Sequence, residues 1–202
     1  MKIIKQIIFT LALLLLFSCK KENKIVEISN SKIDKTIEGN ISDEKENLQA
    51  LLRNLYQWQE TKSSNNDFNV NSKDSLYISL NLKDHQIRLD ELKKTGFFSK
   101  NFVENYNKIG LKIDSGLKSG ELEWAVGELP PFGNDANPWC DCQDNPENYW
   151  KTLTIQKIKI NGDVADLTWT WGNDFEYKVT AVKDNNSWKI DYLEGFDFDN
   201  FF

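Results

Sequence analysis

The chain is poor in the residues from which most metal centres and acid/base sites are built. It has one histidine, His85, and three cysteines, Cys19, Cys140 and Cys142. A structural zinc site usually takes four Cys or His ligands, so no metal is expected. Positive charge is short as well: 25 Lys and Arg stand against 31 Asp and Glu, a net charge of −6. That balance lacks the basic footprint of a nucleic-acid binder, and no nucleic acid partner is expected. An acidic surface favours solubility and disfavours anionic partners. The chain has no Walker-type loop, no glycine-rich dinucleotide fingerprint and no internal repeat, so no cofactor is expected. The apolar run from Ile7 to Phe17 is shorter than the roughly 20 residues that span a bilayer.

What is present begins with that run. Lys2 and Lys5 precede it and Ser18-Cys19 follow it, the layout of a secretory signal. The stretch "LFSC" resembles a bacterial lipoprotein box, with Leu16 three residues before the cysteine and a small residue just before it; Phe17 departs from the commoner small or aliphatic residue. The resemblance implies cleavage before Cys19, diacylglycerol on its sulfur, and a palmitate-type membrane anchor. Two or three acyl chains hold a protein on a membrane where one does not. Lys20 in place of Asp implies the outer membrane. "CKKEN" partly resembles the surface-export signal of Bacteroidetes lipoproteins, which leaves the periplasmic and surface faces both open. The chain therefore divides into a signal peptide at 1–18, a flexible tether at 19–43 and one domain at 44–202. Loss of Lys2 and Lys5 takes the mature charge from −6 to −8. The tether is polar, with isolated Ile and Val, and cannot bury enough surface to offset its ordering entropy.

Asp43 to Thr61 predicts the first helix, with Asp43 and Glu46 as a capping box and Leu48, Leu51, Leu52 and Leu55 as its apolar stripe. "SLYISLNL" alternates at Leu76, Ile78, Leu80 and Leu82, which predicts a short strand. Asp84 can cap a second helix ending at Gly96, and Ser99 a third ending at Gly120. Four strands follow, at Leu153–Ile160, Val164–Trp171, Phe175–Val182 and Trp188–Leu193. Asn161-Gly162 is a strong hairpin signal. The first of the four breaks phase between Ile155 and Ile158, which predicts a bulge near Gln156-Lys157. In the last, Trp188, Ile190 and Tyr192 share a face. Helices first and an antiparallel meander after them predict an α+β fold, with helices packed on one face of a curved sheet.

A first helix carrying "LYQW", further helices, then long strands closing on "NSWKIDYLEGF" resemble the nuclear-transport-factor-two-like (SnoaL-like, cystatin-like) cone fold. Bacteroidetes lipoproteins of that fold are similar. The resemblance covers roughly residues 45–197 and carries no catalytic motif. It implies a concave sheet face that encloses a pocket, and in SnoaL-like enzymes a His or Asp deep within it.

Trp124, Trp169, Trp171, Tyr177 and Trp188 are the residues that would wall such a pocket for a small apolar ligand. The plainer reading is that they are ordinary core. His85 sits at a helix start among charged neighbours, which predicts an exposed side chain rather than a general base. No nucleophile and base pair up, so no catalytic residues are assigned. In "PPFGNDANPWCDCQDNPENYW", residues 130–150, Cys140 and Cys142 with Asp135, Asp141 and Asp144 could hold a metal. A thioredoxin-like centre prefers two residues between its cysteines. In an oxidising envelope, where Cys19 carries lipid, a Cys140–Cys142 disulfide is the expectation. The loop it tightens is the first candidate surface for a protein, peptide or glycan, and otherwise a lid on the core. In the tail, Phe196 and Phe198 are expected on the sheet edge. The resulting expectation is a non-enzymatic, lipid-anchored envelope binding module. A small SnoaL-like pocket enzyme or an immunity or inhibitor lipoprotein is the alternative.

Overall fold

The structure, a computed structural model, describes residues 25–64, 67–172 and 175–202, with side chains from residue 42 onward. The signal peptide and Cys19 lie outside the described residues. None of the described helices is long and apolar enough to cross a membrane. Residues Met1–Asp43 and Glu44–Phe202 form two compact units; the elements that follow belong to the second, apart from the first part of α1.

Helix α1 runs Ile25–Thr61. It ends where expected but starts earlier, so residues 25–43, read above as tether, have helical backbone. The reason is cooperativity. Once packed turns supply the nucleus, each added residue gains a hydrogen bond without needing a partner surface, and no proline interrupts the segment. Asp43 and Glu46 therefore lie inside the helix and do not cap it. Leu48, Leu52, Leu55 and Tyr56 are fully buried, the face that the leucine stripe predicted.

A hairpin follows, β1 (Val70–Lys73) with β2 (Leu76–Leu80). Its two-residue turn, Asp74-Ser75, has positive φ at both positions, the conformation that matches strand twist. Strand β1 has no counterpart in the sequence reading, because a single Val among polar residues shows no alternation. Of the alternating residues in β2 only Leu80 is buried; Leu76 and Ile78 are exposed. Helix α2 (Leu82–Thr95) is capped by Asn81, whose side chain accepts from the Asp84 amide, and not by Asp84 itself. Helix α3 (Lys100–Ser119) is capped by Ser99, and both helices stop at a left-handed glycine, Gly96 and Gly120.

The second sheet is antiparallel in sequence order: β3 (Thr154–Asn161), β4 (Val164–Thr170), β5 (Tyr177–Asp184) and β6 (Ser187–Leu193). With the helices this makes an α+β domain whose sheets of two and four strands stay open. The register slips between Ile155 and Lys157, where the phase break predicted a bulge. A second slip lies opposite Thr180-Ala181, which pair with Tyr192 and Ile190 and leave Asp191 over. It turns Leu193 inward and Tyr192 partly outward, so Tyr192 does not share the face of Trp188 and Ile190 as expected. Gly162 is the first of the two loop residues between β3 and β4, and its φ of +61° suits glycine. Asn185-Asn186, both at positive φ, turn β5 into β6.

One edge of this sheet is covered. The Phe97 carbonyl accepts from the Ile190 amide and the Ser99 amide donates to the Ile190 carbonyl, each at 2.8 Å. The opposite edge is β3, which among the described residues has no further strand beside it; Gln49 of α1 accepts from the Ile155 amide near its start, and it carries exposed Lys157 and Lys159. The tail does not dock Phe196 on a sheet edge. Phe196 packs against Phe102 and Tyr106 of α3, because the apolar face of that helix offers more ring surface.

Candidate functional site

The cysteine loop is built on Asn137. Its amide donates to the Cys142 carbonyl (2.8 Å), its carbonyl accepts from the Cys140 and Asp141 amides (3.1 and 2.7 Å), and its side-chain oxygen caps the Trp139 amide (3.0 Å). This turn brings the Cys140 and Cys142 Cα atoms to 5.1 Å, and the two sulfurs form a disulfide. Asp141, between them, takes a left-handed φ of +50°, which Asp tolerates better than most residues.

Two buried rings peg the loop into the domain. The Trp139 indole is wedged among Trp58, Phe98 and Phe196. Its N–H donates to Asp67 Oδ2 at 2.7 Å. Asp67 Oδ1 also accepts from Arg88 Nε (2.9 Å) and from the Tyr106 hydroxyl (2.6 Å). Arg88 is 1 % exposed and packs on both the Trp58 and Trp139 rings, 5.4 and 5.5 Å from their centroids. Burial works against its charge, but Asp67 and Glu91 more than offset it and hold the guanidinium above its ordinary pKa. Opposite charges and full hydrogen bonding are what make a buried ion tolerable. The second peg is Tyr149, which packs on Tyr56, Trp169 and Trp171.

A third tie joins the loop to the sheet. The Tyr177 hydroxyl donates to the Pro138 carbonyl (2.7 Å) and accepts from the Gly195 amide (3.0 Å). Gly195 passes so close to Pro138 that any Cβ would collide with its carbonyl. Burial pushes the Tyr177 phenol well above its usual pKa, so it keeps its proton and this bond.

Beside the tie lies a polar cavity of about 380 Å³, lined by Asp141, Lys178, Tyr192, Glu194, Asp197 and Asn200 among others. Lys178 is ion-paired with Glu194, which raises the lysine pKa. The Tyr192 hydroxyl donates to Asp197 at 3.0 Å; burial first, and then that bond, push its phenol up. No family model, curated protein or solved structure matches the chain.

The residues read from sequence as pocket walls do not meet in one cavity. Trp169 and Tyr177 have no exposure and belong to a ring cluster with Tyr56, Tyr149, Trp171 and Phe175. Trp124 is elsewhere, tilted against Tyr77 and edge-on to Phe132 beside the β1–β2 hairpin, which its carbonyl joins through the Tyr77 amide. Trp188 lies at the start of β6, its indole donating to Glu44 at 2.5 Å. A second cavity, about 490 Å³, lies between α2 and α3 over Leu89, Phe98 and Val103, and it contains none of the five.

His85 is buried at 4 % exposure, not exposed as its charged neighbours suggested. Its ring lies on Gly110 of α3, a fit that a helix start among Lys and Asp does not announce. Among the described residues no three His, Cys, Asp or Glu side chains could hold a metal ion. The Asp67–Arg88–Trp139 node was missed altogether. Its members are 21 to 72 positions apart in the chain, and no local pattern links them.

Proposed function

We propose that this chain is a lipid-anchored envelope protein, held in the outer membrane through Cys19, whose cone-like, nuclear-transport-factor-two-like domain is a non-enzymatic binding module. It presents the loop of residues 130–150 and the adjoining polar cavity to a protein, peptide or glycan. The observation that carries this reading is the filling of the sheet's inner face. Trp169, Tyr177, Tyr56 and Tyr149 are at most 1 % exposed. That leaves the interior to packing and puts the accessible polar groups, Asp141, Gln143 and Asp144, on the loop. Ordered loops of this length in compact domains are often functional. The filled interior counts against the SnoaL-like enzyme reading, which needs an inward acid or base beside open space.

Cys19→Ala tests the anchor: the variant should lose labelling by a palmitate analogue, and unchanged labelling would overturn it. A photo-crosslinking residue tests the surface. Placed at Gln143 it should give a discrete adduct in the intact envelope, while the same residue at Lys159 on the sheet edge should not. Equal adducts from both positions, or none from Gln143, would reject the loop as the binding face.

A further inference from the structure

The one histidine occupies a niche with no room for a charge. The His85 ring lies nearly parallel to Tyr106 (9°, centroids 5.8 Å apart) and at 30° to Phe68 (6.1 Å). It rests so closely on Gly110 that a methyl group there would overlap it. Nε2 is 3.1 Å from Asn107 Oδ1, which accepts, so the neutral ring carries its proton on Nε2. Nδ1 is buried without a partner. An unprotonated Nδ1 costs little there, whereas a second N–H would be a buried, unpaired donor on a charged ring.

Among the described residues no carboxylate stands ready to compensate. On α2, Asp84 accepts from Asn69 and Asn81, and Arg88 is paired with Asp67 and Glu91. On α3, Asp114 takes the Leu80 amide and Lys118, and Lys108 lies over the Phe198 ring. In the turn before β1, Asp67 is committed to Arg88, Tyr106 and Trp139. Burial holds the His85 pKa below its ordinary value; the Asn107 bond opposes the shift and no charged group contributes. The flanking rings offer a cation little, since their centroids lie near the roughly 6 Å limit of that attraction.

We propose that His85 is an acid-operated latch on the cysteine loop. Protonation drives the ring out of its niche and removes one of the three rings packed on Phe68. Phe68 sits at a left-handed φ of +55°, a conformation a bulky side chain keeps only when packing holds it. Its packing is Tyr106, His85 and Phe201. Asp67 is the residue just before it, and it is the acceptor that holds the Trp139 indole. Acid therefore loosens the peg of the loop before it loosens the sheet. The direction follows from linkage. A histidine whose folded pKa is lowered contributes fully above about pH 6.5, and that stability is lost as pH falls through 6.5 toward the folded value.

The single histidine makes the test direct. In the full chain one imidazole Cε1–H resonance is followed by NMR from about pH 8 to about pH 5, alongside the Trp139 indole N–H, assigned with Trp139→Phe. His85 should titrate below 6.5. Trp139 should lose its protection from hydrogen exchange over the same interval in the wild type, and not in His85→Gln, which keeps a donor for Asn107 and cannot charge. Titration at or above 6.5, or loss of Trp139 protection that persists in His85→Gln, would overturn the latch. Should that variant not fold, the wild type alone decides: a Trp139 transition displaced from the histidine titration rejects the proposal, and a coincident one supports it.

Discussion

The cysteine loop and the four-stranded sheet are neighbours in sequence and opposites in construction. The sheet is held by a backbone ladder repeated over three antiparallel pairings, and its side chains need only alternate. The loop has little ladder. Its order comes from a disulfide, an Asn137 turn and two buried rings, Trp139 and Tyr149. Stability that is spread along a ladder fails globally, whereas stability concentrated in pegs can fail locally.

The largest effect should come from the ring that both regions share. Trp169 lies on β4 and packs on Tyr149 of the loop. Trp169→Ala should lower unfolding free energy by about 3–5 kcal/mol as a large-to-small core change, read by urea denaturation. A loss below about 1 kcal/mol would mean the ring is not core.

Arg88→Ala should come next, at about 2–3 kcal/mol, because it strips the partner from Asp67 and Glu91. This falls below the range for a fully buried pair since those carboxylates keep 17 % and 24 % exposure and can rehydrate. The variant sharpens the comparison. It should speed proteolytic cleavage between Gly133 and Asn148 more than Trp169→Ala does when both are held at the same distance from their melting transitions. Equal cleavage would show that the node does not act through the loop.

Reduction of Cys140–Cys142 should have the smallest global effect. So short a link removes little chain entropy, about 1.6 kcal/mol at most. Cleavage in the loop should accelerate while the main melting transition barely moves. A large drop in the melting transition would place the disulfide in the global fold and end the distinction.

Legibility in the sequence follows the same division. Local periodicity exposed the helices after residue 43, both glycine stops, the four strands and the bulge near Gln156. What it could not expose is whether an apolar face is open or filled, since Trp169 has the same alternation either way. Nor could it expose pairings made across the fold. Arg88 looks like one charge of a solvated helix, and His85 like its neighbour, until Trp58, Trp139 and Gly110 are brought against them from distant positions. Strand β1 was hidden for a simpler reason: a strand whose pairing is made by its backbone needs no apolar pattern.

The two edges of the larger sheet are unequal, and this bears on how copies of the protein behave when crowded. Self-templated growth of a sheet needs an acceptor edge at both ends of every copy. Here the Phe97–Ser99 strap interrupts one, at Ile190. The strap blocks that edge at Ile190, which leaves β3 as the edge without a strap, and two copies joined β3 to β3 would have only strapped edges of that sheet to offer. Lys159 along β3 would set like charges against each other even in that pair, while Lys157 is matched by Glu176. Through this sheet, association by way of β3 ends at a dimer, so a high local concentration would not seed a filament by β3 pairing.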